Sequence, residues 1–353
     1  MKKILLLNGS PKGRMSNTLR LTNSFLEGLN KKGEYETEEV ICSQADVKEC
    51  FGCFGCWRSE KGKCVIADDM DGIIRKYLAA DIVIWSFPTY FYSMPSGAKK
   101  IMDRLLPLYC PELYSDDGKT NYHPLRYNLE NQKYILFCSC AYYNTVQNID
   151  AVKKQFELLY GDKCEMLFCS ESQLLSNRFM DYLTEGYLDA LKKEGERFAQ
   201  SLKFSDEIKE KFSKPFMPID ELMDFVSASA VKKQEGQTKE EYELAKISAF
   251  FKSLALTYDP KRLMAEKSVM EVELSDRPYK CQLHMNKEKC ELIENEEEFL
   301  EYRLKVTSKL SFFTANLNMN GSGKTNIKCP NINSFIDWIN KFEKKGIRKE
   351  IKF

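Results

Sequence analysis

Histidine is nearly absent: His123 and His284 are the only two in 353 residues. A histidine-rich metal centre or a Ser-His-Asp triad therefore has little to work with. No apolar run approaches membrane-spanning length. The opening residues MKKILLLNGSPKG contain only the short apolar run Ile4 to Leu7. That is too short for the core of an export signal, and no small-residue cleavage site follows. An excess of one charge is also lacking, since 53 Lys and Arg face 52 Asp and Glu. This balance gives no reason to expect nucleic acid or a membrane surface as partner. The thirteen cysteines are odd in number. Without an export signal they predict reduced thiols in the cytoplasm rather than a disulfide framework. Repeats and low-complexity tracts are missing as well.

What is present is an alternation of short apolar runs with amphipathic stretches over the first two hundred residues. Strands are predicted at Lys3–Asn8, Thr37–Cys42, Asp81–Phe87, Lys133–Cys140 and Lys163–Cys169. Helices are predicted between and after them, at Asn17–Leu29, Asp69–Leu78, Ser96–Leu106, Ile149–Leu159 and Tyr182–Leu202. Asp81–Phe87 (DIVIWSF) is apolar at successive positions, as a strand covered on both faces must be. Five strands alternating with helices predict an α/β, doubly wound parallel sheet with right-handed crossovers, simplest in the order 2-1-3-4-5.

Residues 205–218 (SDEIKEKFSKPFMP) are charged and end in prolines. A boundary is expected there, giving a first domain over 1–212 and a C-terminal α+β domain over 213–353. The second domain predicts helices near 219–230 and 239–256 and strands within SVMEVELSD, YKCQLHMNKEKCELIEN and YRLKVTS. A last amphipathic helix, INSFIDWINKFEKK, would place Ile332, Phe335, Ile336, Ile339 and Phe342 on one side. NGSGKT at 320–325 looks like a phosphate-binding P-loop, but that motif needs glycine where Asn318 stands, so it reads as a turn.

The first predicted strand runs into NGSPKGRMSNT, residues 8–18, and then a helix. A helix N-terminus presents unpaired N–H groups to an anion. Ser10, Ser16, Asn17 and Thr18 add side-chain donors, and Lys12 and Arg14 add positive charge. No acidic residue precedes Glu27. The pattern suits a phosphomonoester; a turn followed by a serine-capped helix is the plainer alternative. It is not the dinucleotide glycine fingerprint. The third strand runs into FPTYFYSMPSG, residues 87–97, and the fourth into CSCAYY, residues 138–143. Both would stand at the carboxyl edge of the sheet, where ligands of doubly wound folds bind.

Together NGSPKGRMSNT, the cysteine loop ending in CVIADDM, FPTYFYSMPSGAKKIMDR and SCAYY resemble the NAD(P)H-dependent FMN reductase and iron–sulfur flavoprotein branch of the flavodoxin-like superfamily, over about residues 1–200. The resemblance implies that Ser10, Lys12, Ser16, Asn17 and Thr18 hold an FMN phosphate. Pro88, Thr89, Tyr90 and Phe91 would hold the isoalloxazine, with Ser139 on its pyrimidine side. It implies no catalytic side chain. Asp103 and Arg104 match a recurrent pair and read as structural, through capping or a subunit contact. Tyr142 and Tyr143 stand where relatives often carry glycine, which would narrow access to the flavin.

Cys50, Cys53, Cys56 and Cys64 follow the spacing C-x2-C-x2-C-x7-C. Structural zinc prefers two separated C-x2-C pairs, whereas compact runs like this one ligate iron–sulfur clusters. The pattern resembles that of iron–sulfur flavoproteins, in which four thiolates hold one [4Fe–4S] cluster. Structural thiols, zinc and a working disulfide remain open alternatives. The resemblance implies an enzyme passing electrons from NAD(P)H through FMN to an acceptor. Its alternatives are cluster-mediated transfer between FMN and a ferredoxin-like partner, and a non-enzymatic flavin or thiol redox sensor. It also implies a homodimer or higher homo-oligomer. The run from Leu256 to Phe299 weakly resembles sterol carrier protein-like domains, from which residues 305–330 depart.

Overall fold

The computed structural model describes the chain except residues 60, 116–117, 119–120, 177–180, 221, 224–233, 257, 303, 309–335, 337–338, 341–348 and 353. It divides into two compact units, Met1–Phe216 and Met217–Phe353. In the first unit, strands β1 (Lys2–Asn8), β2 (Tyr35–Ile41), β3 (Ile82–Pro88), β4 (Lys133–Ser139) and β5 (Cys164–Cys169) form one sheet in the order β2-β1-β3-β4-β5. Every neighbouring pair is parallel, as the alternation of strands and helices predicts.

Side chains alternate across a strand, so each strand feeds two cores. Ile4, Leu6, Ile82, Ile84, Ile135 and Phe137 are buried on one face. There they meet α1 (Asn17–Asn30), α6 (Asp181–Ser201) and α7 (Asp206–Ser213) through residues such as Phe25, Phe198 and Ile208. Leu5, Leu7, Val83, Trp85 and Leu136 are buried on the other face. These pack with α3 (Met70–Ala79), α4 (Ser96–Asp103) and α5 (Asp150–Tyr160) through Ile73, Ile101 and Phe156. Each such side chain contributes roughly 1.5–3 kcal/mol on burial. A single-turn helix, α2 (Gly55–Arg58), lies in the cysteine loop.

The cut between the two units falls after Phe216, inside the charged segment 205–218, and the part of that segment up to Phe216 packs with the first unit. Ser205 caps α7 by accepting the Ile208 N–H at 3.2 Å, and Glu194 accepts from the Ser205 N–H and hydroxyl, each at 2.7 Å. Ile208 and Phe212 are buried in the core while the charges face outward. High net polarity therefore concealed one narrow apolar stripe.

In the second unit α8 (Lys239–Leu256) precedes β6 (Lys267–Leu274), β7 (Lys280–Asn286), β8 (Cys290–Ile293), β9 (Leu304–Ser308) and β10 (Lys349–Lys352). The sheet order is β10-β9-β6-β7-β8, with an antiparallel β6-β7-β8 meander and parallel β6-β9-β10 pairing. Met270, Val272, Cys281, Leu283, Leu304 and Val306 face the α8 residues Ile247, Phe251 and Leu254 in one core. Ile336 and Ile339 are buried there too. The expected helix near 219–230 is helical at residues 219–220 and 222–223; its remaining residues, most of the expected final helix and NGSGKT at 320–325 lie outside the described residues.

Two glycines let α1 and α6 touch backbone to backbone. A Cβ at Gly28 would run into the Lys192 carbonyl, and one at Gly195 into the Phe25 carbonyl. Gly186, on the same α6, has open space. Gly28→Ala and Gly195→Ala are each expected to cost about 1–3 kcal/mol through overpacking. Gly186→Ala should be neutral or stabilising. Urea denaturation of the three variants checks this; a midpoint unchanged in the first two would show that another contact sets the helix separation.

Candidate functional site

The crevice begins where β1 and β3, hydrogen-bonded side by side, send the chain to opposite faces of the sheet: β1 to α1 and β3 to α4. Nine of the ten residues expected to hold FMN line one cleft there, of about 210 Å³: Ser10, Lys12, Ser16, Asn17, Thr18, Pro88, Thr89, Tyr90 and Ser139.

The loop after β1 is organised by its own short polar side chains. Asn8, buried at the end of β1, donates to the Gly13 carbonyl at 3.1 Å and accepts the Ser10 N–H at 3.2 Å. The Ser10 hydroxyl accepts the Lys12 N–H at 3.3 Å. Gly13 takes a φ of +54°, which glycine adopts without penalty. Ser16 then caps α1 by accepting the Leu19 N–H at 3.2 Å. Among the described contacts, the first two helical N–H groups, of Asn17 and Thr18, take no partner. Together with the Lys12 ammonium they make a cationic, donor-rich end of the cleft suited to an oxyanion.

The side chains of Asn17 and Thr18 are occupied, which their sequence motif did not indicate. Asn17 donates to the Ser172 carbonyl at 2.6 Å, and the Thr18 hydroxyl shares a 2.7 Å bond with Ser139. They therefore tie α1 to the loops after β5 and β4, and the anion-binding capacity at these positions lies in the backbone. Sequence reasoning missed Asn8, Ser172 and Gln173. The last two line the cleft, and the Gln173 Oε1 is buried without a hydrogen-bond partner. No motif marks them, because they reach the site by a contact more than 150 residues away in sequence.

Phe91, expected to wall the isoalloxazine, is 98% exposed and is not among the residues that line the cleft. Tyr90 and Ser93 exchange both backbone hydrogen bonds, at 2.8 and 3.0 Å. Phe91 and Tyr92 form the two-residue turn between them, with φ of +46° and +62°. Such a primed turn ordinarily uses Asn-Gly. Tyr92 is half-exposed and stacks on Tyr142, with centroids 5.8 Å apart and planes at 13°. This pair joins the loops after β3 and β4.

Cys50, Cys53, Cys56 and Cys64 converge on a second, much smaller cavity of about 20 Å³ between the cysteine loop and the end of α4. Cys50 and Cys53 are exposed, Cys64 is half-buried and Cys56 is buried. Burial, and then the neighbouring Cys64, Cys53 and Cys50 sulfurs, push the Cys56 thiol up. Gly52 and Phe54 both take positive φ, so the loop turns tightly. Among the described residues no three His, Cys, Asp or Glu side chains come close enough to hold one metal ion. The donor set of four thiols around one cavity fits the ligand requirement of an iron–sulfur cluster.

Arg104 also lines this cavity and is 1% exposed. It therefore cannot serve as a subunit contact, contrary to expectation; only its backbone occupies the C-cap of α4. Asp103 forms an exposed pair with Lys99. Burial works against the Arg104 charge, but the Asp68 hydrogen bond and the nearby Cys64 hold its pKa above the ordinary value. Burial likewise opposes the Asp68 charge and is outweighed by Arg104 and the Lys48 and Met70 N–H groups, which hold its carboxyl below the usual range. Other thiols are plain core residues. Burial pushes Cys42 and Cys164 up to about 12, and Cys138 and Cys169, below the cleft, well above the ordinary value.

Residues 2–156 match the model of a family described as having a flavodoxin-like fold. An iron–sulfur flavoprotein of Methanocaldococcus jannaschii is 36% identical over 106 residues, 30% of this chain and 53% of that protein. An iron–sulfur flavoprotein of Methanosarcina thermophila is 35% identical over 102 residues, 29% of this chain and 51% of that protein. The chain spans about half the length of these relatives. The crystal structure of an FMN-dependent NADH-azoreductase from Bacillus anthracis, solved with FMN, aligns at a TM-score of 0.42 and 16% identity over 57% of this chain and 99% of that one. The flavodoxin-like resemblance of the N-terminal unit is thus borne out by the family match and by the strand order.

Phe91 holds a left-handed conformation while fully exposed, so Phe91→Asn should stabilise the protein by about 1 kcal/mol, since Asn tolerates that region. Thermal denaturation of the variant tests it. A lower midpoint would mean that the Phe91 ring is covered in solution.

Proposed function

We propose that this protein is an FMN-dependent oxidoreductase that takes electrons from NAD(P)H and passes them to a small-molecule or protein acceptor. The observation that carries the reading is the single cleft that joins the anion-binding start of α1 to Pro88, Thr89, Tyr90 and Ser139. When bound, FMN supplies the chemistry: its ring accepts a hydride and releases electrons singly or in pairs. The chain supplies the binding. The Asn17 and Thr18 N–H groups, the Ser10 and Ser16 hydroxyls and Lys12 hold the phosphate, while the loops after β3 and β4 flank the ring. The Thr89 N–H is committed to the Ser139 carbonyl at 2.7 Å, which fixes the two loops to each other. The stacked Tyr92 and Tyr142 narrow the approach to the ring and favour flat or slender electron acceptors.

A second reading is favoured by the convergence of the four cysteines on one cavity. Here Cys50, Cys53, Cys56 and Cys64 ligate a [4Fe–4S] cluster, and a ferredoxin-like partner exchanges electrons with FMN through it. The iron–sulfur flavoprotein names of the relatives support this reading.

The deciding measurement is the visible spectrum of anaerobically purified protein, with FMN and iron assayed on the same sample. Flavin with steady NAD(P)H oxidation supports the first reading; flavin with about four irons per chain supports the second. A colourless protein that takes up no added FMN would falsify both. Lys12→Ala should weaken FMN binding about tenfold, ~1.4 kcal/mol, and leave riboflavin binding unchanged. Titration by flavin fluorescence reads both; an equal loss for riboflavin would remove Lys12 from the phosphate site.

A further inference from the structure

We propose that Arg104 is a positioning residue for the cysteine loop whose Nε–H donates a hydrogen bond to the sulfur that Cys64 presents to an iron–sulfur cluster. This rests on the second reading above, in which the four cysteines bind such a cluster.

The Arg104 guanidinium carries five N–H groups. Asp68 takes two of them in a fork, at 2.9 Å from Nη1 and 3.0 Å from Nη2. The Lys48 carbonyl takes another from Nη1 at 2.8 Å, and the Ile66 carbonyl one from Nη2 at 3.5 Å. All four Nη hydrogens are then used. The fifth, on Nε, is buried and has no hydrogen-bond partner. It belongs to a side chain that forms one wall of the cavity shared by Cys50, Cys53, Cys56 and Cys64. A buried donor without a partner costs about 1–3 kcal/mol. Every other donor of this side chain is satisfied, so the vacancy is confined to one N–H of a side chain that lines the sulfurs' cavity.

The partners also show what the clamp holds. Lys48 precedes the first cysteine of the run, while Ile66 and Asp68 follow the last. Asp68 further accepts the Lys48 N–H at 2.9 Å and the Met70 N–H at 3.0 Å. The two ends of the loop are thus pinned to one guanidinium, and the ligand next to the pinned end is Cys64. A thiolate-ligated cluster is anionic and gains negative charge on reduction. A buried cation with one N–H directed at a ligand sulfur favours the reduced form and so raises the potential, as hydrogen bonds to cluster sulfurs do.

The test uses the full chain, anaerobically reconstituted with ferrous iron and sulfide, as wild type, Arg104→Lys and Arg104→Gln. Lysine keeps the charge and an Asp68 partner but loses the fork and the Nε–H. FMN stoichiometry and far-UV circular dichroism establish folding independently, and where Arg104→Gln fails to fold Arg104→Lys carries the test. The expected result for Arg104→Lys is wild-type FMN content, a cluster midpoint potential shifted to more negative values, and several-fold faster loss of iron to a chelator. A potential and an iron-loss rate equal to those of the wild type would overturn the assignment. Wild-type protein that holds FMN but takes up no iron would instead overturn the iron–sulfur reading itself, and this inference with it.

Discussion

The parallel pairing of β1 with strands on both sides is the constraint on which the site depends. β1 is hydrogen-bonded to β2 on one edge and β3 on the other. Parallel neighbours cannot be joined by a tight turn, so each connection must cross a face of the sheet, and right-handed crossing decides which face. The chain leaving β1 therefore goes to one side and the chain leaving β3 to the other. The gap between them is unavoidable, and it opens at Asn8 and Pro88. No residue has to be spent on making the cleft; residues are spent on furnishing it. Asn8 shapes the loop, Ser16 starts the helix, and Asn17 and Thr18 lash α1 to neighbouring loops.

The cysteine loop is the crossover that follows β2, and it is held differently. It has little regular structure beyond α2, and its order comes from a buried ion pair. A buried pair such as Arg104–Asp68 is a weak source of net stability, because desolvation offsets much of the attraction. What it supplies here is geometry, since its hydrogen bonds reach the backbone at both ends of the loop. The two sites are thus built on opposite principles, one on helix and strand ends, the other on side chains gripping an irregular segment.

This difference also explains what could be read from the sequence. The five strands were legible because apolar runs such as ILLL and IVIW are local signals, and nine of the ten proposed FMN contacts were legible because they sit in three motifs at strand ends. The direction of Phe91 was not, because it depends on positive φ at two non-glycine residues, which composition does not announce. Ser172 and Gln173 were hidden by distance along the chain. The helix α7 was hidden by its charges, which outnumber the two apolar residues it buries. Arg104 read as a structural residue, but its role in the cysteine loop was hidden, since nothing local says that its partner is Asp68, 36 residues earlier.

Among the described residues, the buried thiols of the sheet core and the exposed thiols of the cysteine loop have different chemical fates. The thiolate is the form that oxidants attack, and burial keeps Cys42, Cys138, Cys164 and Cys169 protonated at any physiological pH. Cys50 and Cys53 are exposed to solvent. Oxygen or peroxide would therefore reach the exposed thiols of the loop before those of the core. Air oxidation of Cys50 and Cys53 would leave the buried core thiols untouched while changing the surface of the loop. Two laboratories could purify the same chain and describe different proteins.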